Sequence, residues 1–258
     1  MRKAFMKEKV GAGLRPNPSS YCRELERMMP SGFLKPGYKV VKYYGGGGTG
    51  QVFQVCKNDY ECFAVKARRS DDKSDWKTAK DEYQMQNQVA KLGLAPRINK
   101  MYIPKQPNKL AFALMEPIDG TLYSFLRDPK SKTVLNLLLQ SVLLLLRTLH
   151  KNKYVHGDFH WDNIAYFVDN KMRWRLQLID FGMTNKGNQT FVRKFAAFDV
   201  SQLIRTLGRD LTPKMNNNNR KYLDSILKQY YRQHFNSKVK NFGRESDSLW
   251  KKYEDTFM

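Results

Sequence analysis

Beginning at Tyr38, apolar and polar residues alternate with the period of β-strands. Three such segments, separated by glycines and by a turn at Asn58–Asp59, are predicted to form antiparallel strands: Tyr38–Tyr44, Gln51–Cys56 and Glu61–Lys66. Apolar residues then recur at helical spacing over Asp75–Leu92, and Leu110–Met115 returns to a strand pattern. The pattern predicts a small lobe built from a sheet and one helix.

After residue 119 the apolar residues follow helical spacing. Three helices are predicted to cover these spans: Val134–His150, Val200–Leu207 and Leu223–Tyr230. Two short strands, Ile164–Phe167 and Arg175–Ile179, are predicted between the first two helices, joined by a turn near Asp169–Asn170. The run Asn216–Asn219 predicts a loop. These elements form a second, mainly helical lobe.

Residues 1–37 combine prolines and scattered charge without a sustained period, which predicts an irregular basic arm with one helix near Tyr21–Met29. The expected domains are this arm, a first lobe with a hinge over residues 38–118, and a compact helical lobe over residues 119–258. The expected fold class is α+β, with a small antiparallel sheet and one helix in the first lobe.

The apolar stretch Val134–Leu149 contains polar residues and is shorter than the roughly 20 residues that a membrane span needs. We predict a core helix and no transmembrane segment. Three cysteines cannot all pair, and no signal peptide precedes them, so we expect a reducing, intracellular location: cytoplasm or nucleus, or a host cell or virion for a virus-encoded chain. Cys56 and Cys62 flank a predicted turn at Lys57–Glu61, but reduced thiols are the expected state.

The charge of the chain is strongly positive. The 258 residues include 46 Lys and Arg against 24 Asp and Glu, a net charge of +22. This excess predicts a polyanionic neighbour such as nucleic acid, phospholipid or an acidic protein, with a solvated basic surface as the alternative. Two histidines, His150 and His234, have no partner at metal-ligand spacing and are interpreted as ordinary helix residues.

A glycine-rich turn lies between the first two predicted strands. Its residues have the spacing GxGxxGxV: Gly45, Gly47, Gly50 and Val52. A dinucleotide-binding fold would place such glycines between a strand and a helix, and a P-loop would end in Lys-Ser or Lys-Thr, which Gln51–Val52 is not. The spacing favours a strand-turn-strand lid over phosphates, and a merely flexible turn is the alternative.

A buried ion pair is predicted in the first lobe. Strand alternation puts Lys66 on the same face as Ala64. A buried lysine needs a carboxylate partner, and Glu82 lies on the apolar stripe of the next helix together with Val89. We therefore predict a Lys66–Glu82 pair, with an exposed lysine at the strand end as the alternative.

The sequence HGDFHWDN at residues 156–163 and the triplet DFG at residues 180–182 flank the short predicted hairpin. Such a hairpin brings Asn163 and Asp180 together at one end, where both offer oxygens to Mg²⁺. Asp158 can then accept a proton from an attacking hydroxyl. This ordered set predicts phosphoryl transfer.

Together these motifs resemble those of the protein kinase superfamily, in the same order over roughly residues 38–210. The resemblance implies a two-lobed fold and the cofactors ATP and Mg²⁺, with Mn²⁺ as a substitute. It implies that the three glycines cover ATP, that Val52 and Ala64 contact adenine, and that Lys66 holds the phosphates and pairs with Glu82. Met115 resembles the gatekeeper residue, and Glu116 to Ile118 resemble the hinge.

In the second lobe the resemblance implies a catalytic base at Asp158 and metal ligands at Asn163 and Asp180. Asp199, expected to open a helix, resembles the buried aspartate that braces the catalytic loop. His160 stands among the catalytic residues where most protein kinases have lysine. The form HGDxHxxN is similar to RIO-type kinases, aminoglycoside phosphotransferases and haspin. Only 17 positions separate Gly182 from Asp199, and no Ala-Pro-Glu motif follows, a compaction similar to that of small virus-encoded kinases.

The expected function is transfer of phosphate from ATP to Ser or Thr hydroxyls of proteins, with autophosphorylation. A small-molecule phosphotransferase of the aminoglycoside type is the first alternative, although such enzymes favour acidic pockets and this chain is basic. A basic pseudokinase that serves as a nucleic-acid-binding scaffold is the second. The oligomeric state is not predicted.

Overall fold

The computed structural model describes residues 18–47, 50–70, 73–104, 109–169, 171–208, 215–235, 248, 249 and 251. The described chain divides into two compact units. The first contains the described residues of Met1–Gln84 and Arg97–Ile118, and the second those of Met85–Pro96 and Asp119–Met258. The predicted α+β kinase-like class is confirmed, because strands dominate the first unit and helices the second.

The first unit is built on a five-stranded antiparallel sheet with the strand order β1-β2-β3-β5-β4. Its strands are β1 (Lys39–Gly47), β2 (Gly50–Cys56), β3 (Cys62–Ser70), β4 (Ile98–Tyr102) and β5 (Lys109–Met115). Strand β4 was not predicted, because it lies at the sheet edge and exposes its three central residues, which removes the alternating pattern. Helix α2 (Lys73–Ala90) begins in the first unit, and its last turns, from Met85 onward, belong to the second unit.

The helix expected near Tyr21–Met29 is present as α1 (Pro18–Met28). Its Leu25 is fully buried and packs with Phe33 and Phe53 in one core cluster of the first unit. The backbone N–H of Val40 donates to the Glu26 carboxylate at 2.7 Å. The described part of the expected arm is therefore part of the core rather than an irregular extension.

The expectation of two reduced thiols in the β2–β3 hairpin is wrong. Cys56 and Cys62 are directly opposite each other in the register, with a Cα–Cα distance of 4.1 Å, and they form a disulfide. Directly opposed positions of an antiparallel pair bring two Cα atoms within the range that a disulfide needs. The cysteines therefore no longer support the prediction of a reducing compartment.

The second unit is mainly helical. Its elements are β6 (Gly120–Thr121), α3 (Leu122–Phe125), α4 (Lys132–Lys151), β7 (Tyr154–Val155), a 3₁₀ turn (Trp161–Asn163), β8 (Ile164–Val168), β9 (Trp174–Leu178), β10 (Asn185–Lys186), α5 (Gln189–Gly208) and α6 (Asn217–His234). A large apolar core joins α4, α5, α6 and the β8–β9 hairpin. Strand β10 pairs with β7, and β6 pairs with β8.

Helix α4 has 20 residues and is longer than the predicted apolar stretch, and the expected core helix is confirmed. Among the described residues, it is the one helix with the length and apolar content that a span requires. One face of α4 is buried in the core of the second unit, and core helices of globular proteins meet the same criterion. Its other face leaves Leu137 and Leu144 exposed.

The asparagine run predicted to be a loop begins a helix instead. The Asn216 side chain accepts hydrogen bonds from the backbone of Asn218 and Asn219, and thereby caps α6. Asn219 is buried and bonds through its side chain to Leu126, Asp128 and Lys130 backbone atoms. Asparagine favours loops in general. Here its side chains hydrogen-bond the free backbone N–H groups at the start of α6 and the backbone of residues 126–130.

Candidate active site

The predicted lysine–glutamate contact is present in the first unit. Glu82 Oε1 lies 2.5 Å from Lys66 Nζ, and both side chains are buried. Lys66 lies directly opposite Val52 in the β2–β3 pair. The structure adds a residue that the sequence did not identify, because Arg68 donates to Glu82 Oε2. Residues two positions apart on a strand share a face, and that rule identifies Arg68 as a second candidate.

The three charged groups of this cluster, Lys66, Arg68 and Glu82, sum to one positive charge. A buried ion pair is costly to desolvate, and removal of one member commonly costs about 3–5 kcal/mol because it leaves an unpaired buried charge. Arg68 changes that result for Lys66, since Glu82 keeps a cationic partner when Lys66 is replaced. The cluster therefore holds Lys66 in place on this face of the sheet.

The glycine turn forms the end of the β1–β2 hairpin. Gly45 pairs with Val52 and Gly47 pairs with Gly50 across the two strands. A Cβ atom on Gly50 would lie 2.7 Å from the carbonyl oxygen of Ala67, so no larger residue fits there without a shift of the backbone. The predicted strand-turn-strand arrangement is therefore present, and residues 48 and 49 at its tip lie outside the described residues.

An apolar cluster lies beside the ion pair in the first unit. Ala64 pairs with Met115 across β3 and β5, and both belong to a cluster that Val52 packs against. After Met115 the chain is anchored by polar contacts. The N–H of Glu116 donates to the Arg97 carbonyl at 3.0 Å, and the carbonyl of Ile118 accepts the Tyr44 hydroxyl at 2.5 Å.

The second unit places Asp158, His160 and Asn163 together. The Asn163 side-chain amide donates to Asp158 Oδ2 at 3.0 Å and to the Asp158 carbonyl at 2.9 Å. His160 Nε2 lies 3.4 Å from the same Oδ2. His160 also begins the 3₁₀ turn, because its Nδ1 accepts the Asp162 N–H. The catalytic-loop residues predicted from the sequence are thus in direct contact.

Charges in this loop favour a carboxylate beside an imidazolium. Burial works against the charge of Asp158, but its hydrogen bond to His160 and the charges of His160 and His156 outweigh it, so the pKa of Asp158 lies below its usual value. Burial also disfavours the His160 imidazolium, yet the hydrogen bond and charge of Asp158, with Asp162 and Asp180, hold the pKa of His160 above its usual value. Protonation of His160 at Nδ1 removes only the long hydrogen bond that this nitrogen accepts from the Asp162 N–H at 3.2 Å.

Asp180 follows directly on the strand that returns to Asn163. The N–H of Ile179 donates to the Asn163 carbonyl at 3.0 Å, as an extension of the β8–β9 ladder. Asp180 has a φ of 64°, a left-handed conformation that few residues other than glycine adopt. Such conformations persist where the surrounding structure holds them, often at functional sites. The hairpin therefore brings Asn163 and Asp180 to one end, as its register requires.

Asp199 supports the loop from a buried position. Its two oxygens accept the backbone N–H groups of His156 at 3.0 Å and Gly157 at 2.9 Å. Gly157 has a φ of 80°, which suits glycine. The expectation that Asp199 opens a helix is wrong, because it lies in the middle of α5. The expectation that His150 is an ordinary helix residue is also wrong, since its Nε2 lies 2.8 Å from Asp199 Oδ2.

His156 is buried between the loop and the returning strand. Its Nε2 bonds to the Ile179 carbonyl at 3.2 Å, and its Nδ1 accepts the Asp158 N–H at 3.3 Å. Burial lowers the pKa of His156 more than the carboxylates of Asp199, Asp158 and Asp180 raise it. A neutral imidazole with its proton on Nε2 satisfies both bonds.

Comparison with known proteins agrees with this geometry. A family model described as the protein kinase domain matches residues 38–199. A curated relative from Dictyostelium discoideum, described as "Probable serine/threonine-protein kinase mps1", is 26% identical over 150 residues, which cover 57% of this chain. This chain spans 15% of that relative's length. The glycine turn, the Lys66–Glu82 pair and the loop around Asp158 all lie inside the matched range, and the chain belongs to the protein kinase domain family.

Proposed function

We propose that this chain transfers the terminal phosphate of ATP to Ser or Thr hydroxyls of proteins, its own included. The observation that carries the proposal is the group formed by Asp158, Asn163 and Asp180 at one end of the β8–β9 hairpin. A kinase fold that has lost catalysis is expected to lack a phosphate-binding lysine, a catalytic base or a metal-binding carboxylate. All three are present here as Lys66, Asp158 and Asp180.

The first unit has the groups that ATP requires. Adenine presents a donor and an acceptor on one edge, and backbone groups of the hinge-like segment, Glu116 to Ile118, would hydrogen-bond that edge. Val52, Ala64 and Met115 supply the apolar contact for the ring. The cations of Lys66 and Arg68 favour phosphate groups, and the glycine turn lets backbone N–H groups approach them.

The second unit fits a divalent cation. Asn163 commits its amide nitrogen to Asp158, which leaves its side-chain oxygen to face a hard cation, and Asp180 adds a carboxylate. Mg²⁺ is the proposed ion, with Mn²⁺ as a substitute, since both accept oxygen ligands. When bound, such an ion neutralises charge on the transferring phosphoryl group.

The remaining chemistry belongs to side chains of this loop. Asp158, kept ionised by its low pKa, accepts the proton of the attacking hydroxyl through a carboxylate oxygen. Asn163 holds that carboxylate in position through the bond to Oδ2. His160, as an imidazolium, places a positive charge beside Asp158 where the phosphoryl group arrives, the task that lysine performs in most kinases.

Transfer of label from radiolabelled ATP tests the proposal, first with the chain alone and then with casein, histone and a panel of basic proteins. Incorporation into Ser or Thr, dependent on magnesium, is the expected result. Transfer to aminoglycosides but not to proteins would favour the small-molecule alternative. Nucleotide binding without transfer to any acceptor would favour a pseudokinase.

The pH dependence of transfer tests the role of His160. A raised pKa keeps the imidazolium populated to higher pH than usual, and the charge is lost as pH rises through that pKa. Activity is therefore expected to fall on the alkaline side. In His160→Lys the charge persists to about pH 10, so the alkaline fall should move upward. An identical pH profile in both proteins would exclude a catalytic charge at residue 160.

Activity is expected without phosphorylation after the DFG triplet. The residue before Asp158 is Gly157, which carries no charge for a phosphate to neutralise. Only Thr184 and Thr190 carry hydroxyls between Gly182 and Asp199, and Thr184 is buried, where its hydroxyl donates to the His156 carbonyl. Thr190 is exposed, so Thr190→Ala isolates the accessible site.

Expressed with a phosphatase, Thr190→Ala should keep its specific activity within a few-fold of wild type, measured by initial rates of label transfer. Thr190→Glu serves as the matched variant and should give no gain. A large loss in Thr190→Ala that Thr190→Glu restores would show that a phosphate receptor exists, and the expectation of constitutive activity would be wrong.

A further inference from the structure

A group of exposed cations lies on the segments that flank the catalytic loop in the second unit. We call it the β7–β10 patch, and its members are Lys151, Lys153, Lys186, Arg193 and Lys194. No Asp or Glu occurs in residues 149–157 or 182–198, which contain all five. The charge of these two segments is therefore uncompensated by their own residues, unlike the β8–β9 hairpin, where Arg173 pairs with Asp169.

The sheet pairing brings these cations together. Lys186 is directly opposite Tyr154 in the β7–β10 pair, and its Nζ lies 5.0 Å from the centre of the Tyr154 ring. The N–H of Gly187 donates to the Lys153 carbonyl at 2.9 Å. Lys153, in the turn directly before β7, is thereby held beside the strand β10 that contains Lys186. The patch is a property of the fold and not of one charged stretch of sequence.

The first turns of α5 extend the patch. Val192 and Phe195 are buried with Val155, so this part of α5 packs on β7. Arg193 and Lys194 lie between these buried positions and are exposed. Because the helix is held by its apolar face, the two cations remain on the outer side of the element that packs on β7.

The patch is close to the proposed catalytic carboxylates along the chain. Val155 lies three residues before Asp158, and Asn185 lies five residues after Asp180. At about 3.3 Å per extended residue, these segments span at most about 10 Å and about 17 Å. The Thr184 hydroxyl ties the second segment to the loop. An extended peptide with its acceptor hydroxyl at Asp158 would cover this length with about three to five residues.

We propose that the β7–β10 patch selects acceptor segments that carry Asp or Glu, or phosphorylated residues, within a few positions of the target hydroxyl. This inference rests on the proposed protein kinase function and names its substrate class. Lys151 also has a structural explanation, since a cation in the last turn of a helix interacts favourably with its dipole. Lys153, in the turn after α4, and Lys186, on β10, carry the inference because both lie outside that last helical turn.

An acidic peptide fits this surface better than single-stranded nucleic acid. Sequence-independent binding of single strands combines cations with exposed rings on which bases stack. Two aromatic residues of this region are covered: Tyr154 is buried beneath Lys186, and Phe195 is buried beside Lys194. Phe191 is half-buried and packs against Phe195, with a distance of 5.3 Å between the ring centres. The patch thus offers five cations with one half-buried ring beside them, which suits carboxylates and phosphates on a polypeptide better than stacked bases.

The test compares peptides that differ only in the residues flanking one serine, acidic in the first and neutral in the second. Full-length wild type should show a kcat/KM ratio of about tenfold in favour of the acidic peptide, the size expected from two exposed ion pairs. The preference should appear mainly in KM and should shrink between about 0.05 M and about 0.5 M salt. The double variant Lys153→Glu/Lys186→Glu should bring the ratio to one or below.

A matched control separates the patch from the general charge of the chain. Lys171→Glu/Arg175→Glu makes the same charge change at exposed residues of the β8–β9 hairpin and should keep the wild-type ratio. Equal loss of preference in both double variants, or no preference in wild type, would overturn the proposal. Patch-dependent competition by an oligonucleotide that exceeds competition by the acidic peptide would assign the surface to nucleic acid instead.

Thermal unfolding of each variant establishes that it is folded before the ratios are compared. Failure of the proposed kinase function has a different signature from failure of this inference. If the proposed kinase function fails, wild type transfers no label to any peptide or to itself. If the chain transfers label to both peptides equally, the kinase function stands and only the role of the patch falls.

Discussion

Asp158→Asn is expected to lower the rate of phosphoryl transfer by about 10²–10⁴-fold, because the amide cannot accept the proton of the attacking hydroxyl. The substitution preserves shape. The Asn163 amide also bonds to the Asp158 backbone carbonyl at 2.9 Å, so the loop keeps part of its support. Initial rates with radiolabelled ATP measure the loss, and a thermal shift with ATP and magnesium should show that nucleotide binding persists.

Asp162→Asn is the matched control for Asp158→Asn. Asp162 is an exposed carboxylate four residues along the same loop, and its Oδ1 accepts the Thr121 hydroxyl at 2.7 Å. It is not proposed to contact a reacting group, and its charge is a smaller influence on the pKa of His160 than Asp158 is, so the rate of Asp162→Asn should stay within a few-fold of wild type. Wild-type turnover in Asp158→Asn, from a preparation free of other kinases, would remove Asp158 from the role of base.

Lys66→Met and Asp180→Asn are each expected to reduce transfer by about 10²-fold or more, by different routes. Lys66→Met removes the cation proposed to hold the phosphates, whereas Asp180→Asn removes a proposed charged metal ligand. Magnesium titration separates the two. The thermal shift with ATP should depend on magnesium in wild type and in Lys66→Met, but much less in Asp180→Asn.

Arg68→Met is the matched control for Lys66→Met. Each substitution removes one of the two cations that contact Glu82 and leaves the other in place, so both variants should fold. Arg68→Met retains the contact between Lys66 and Glu82 and should keep most of the transfer activity. Equal losses in both variants would show that net charge matters and that Lys66 has no individual role. An unchanged magnesium response in Asp180→Asn would remove that residue from the metal site.

Local periodicity explains why much of the fold could be predicted from the sequence. Strand and helix periods are visible within a few residues, so β2, β3 and α4 were placed to within a few positions. The meeting of Asn163 and Asp180 was also predictable, because a hairpin between them closes over a short distance. The predicted Lys66–Glu82 contact required one further rule, that a buried lysine must meet an acid.

Other features depend on contacts between residues far apart in the chain. His150 meets Asp199 across 49 positions, and no local pattern marks that pair. The start of α6 was mistaken for a loop because Asn219 is buried against residues about 90 positions earlier. The disulfide was missed for a different reason. Its two cysteines lie only six positions apart, but their pairing depends on the exact register of β2 and β3.

The sequence by itself determined the kinase-like class, the order of the motifs and the candidate residues for the chemistry, because each follows from residue spacing along one or two elements. Only the tertiary structure decided that Arg68 shares Glu82 with Lys66, that Asp199 holds the loop around Asp158 from within a helix, and that the Lys153 carbonyl is bonded to Gly187, next to Lys186. These outcomes depend on register and packing between distant segments. Burial and charge determine which residues become partners there, and local sequence patterns do not predict those partners.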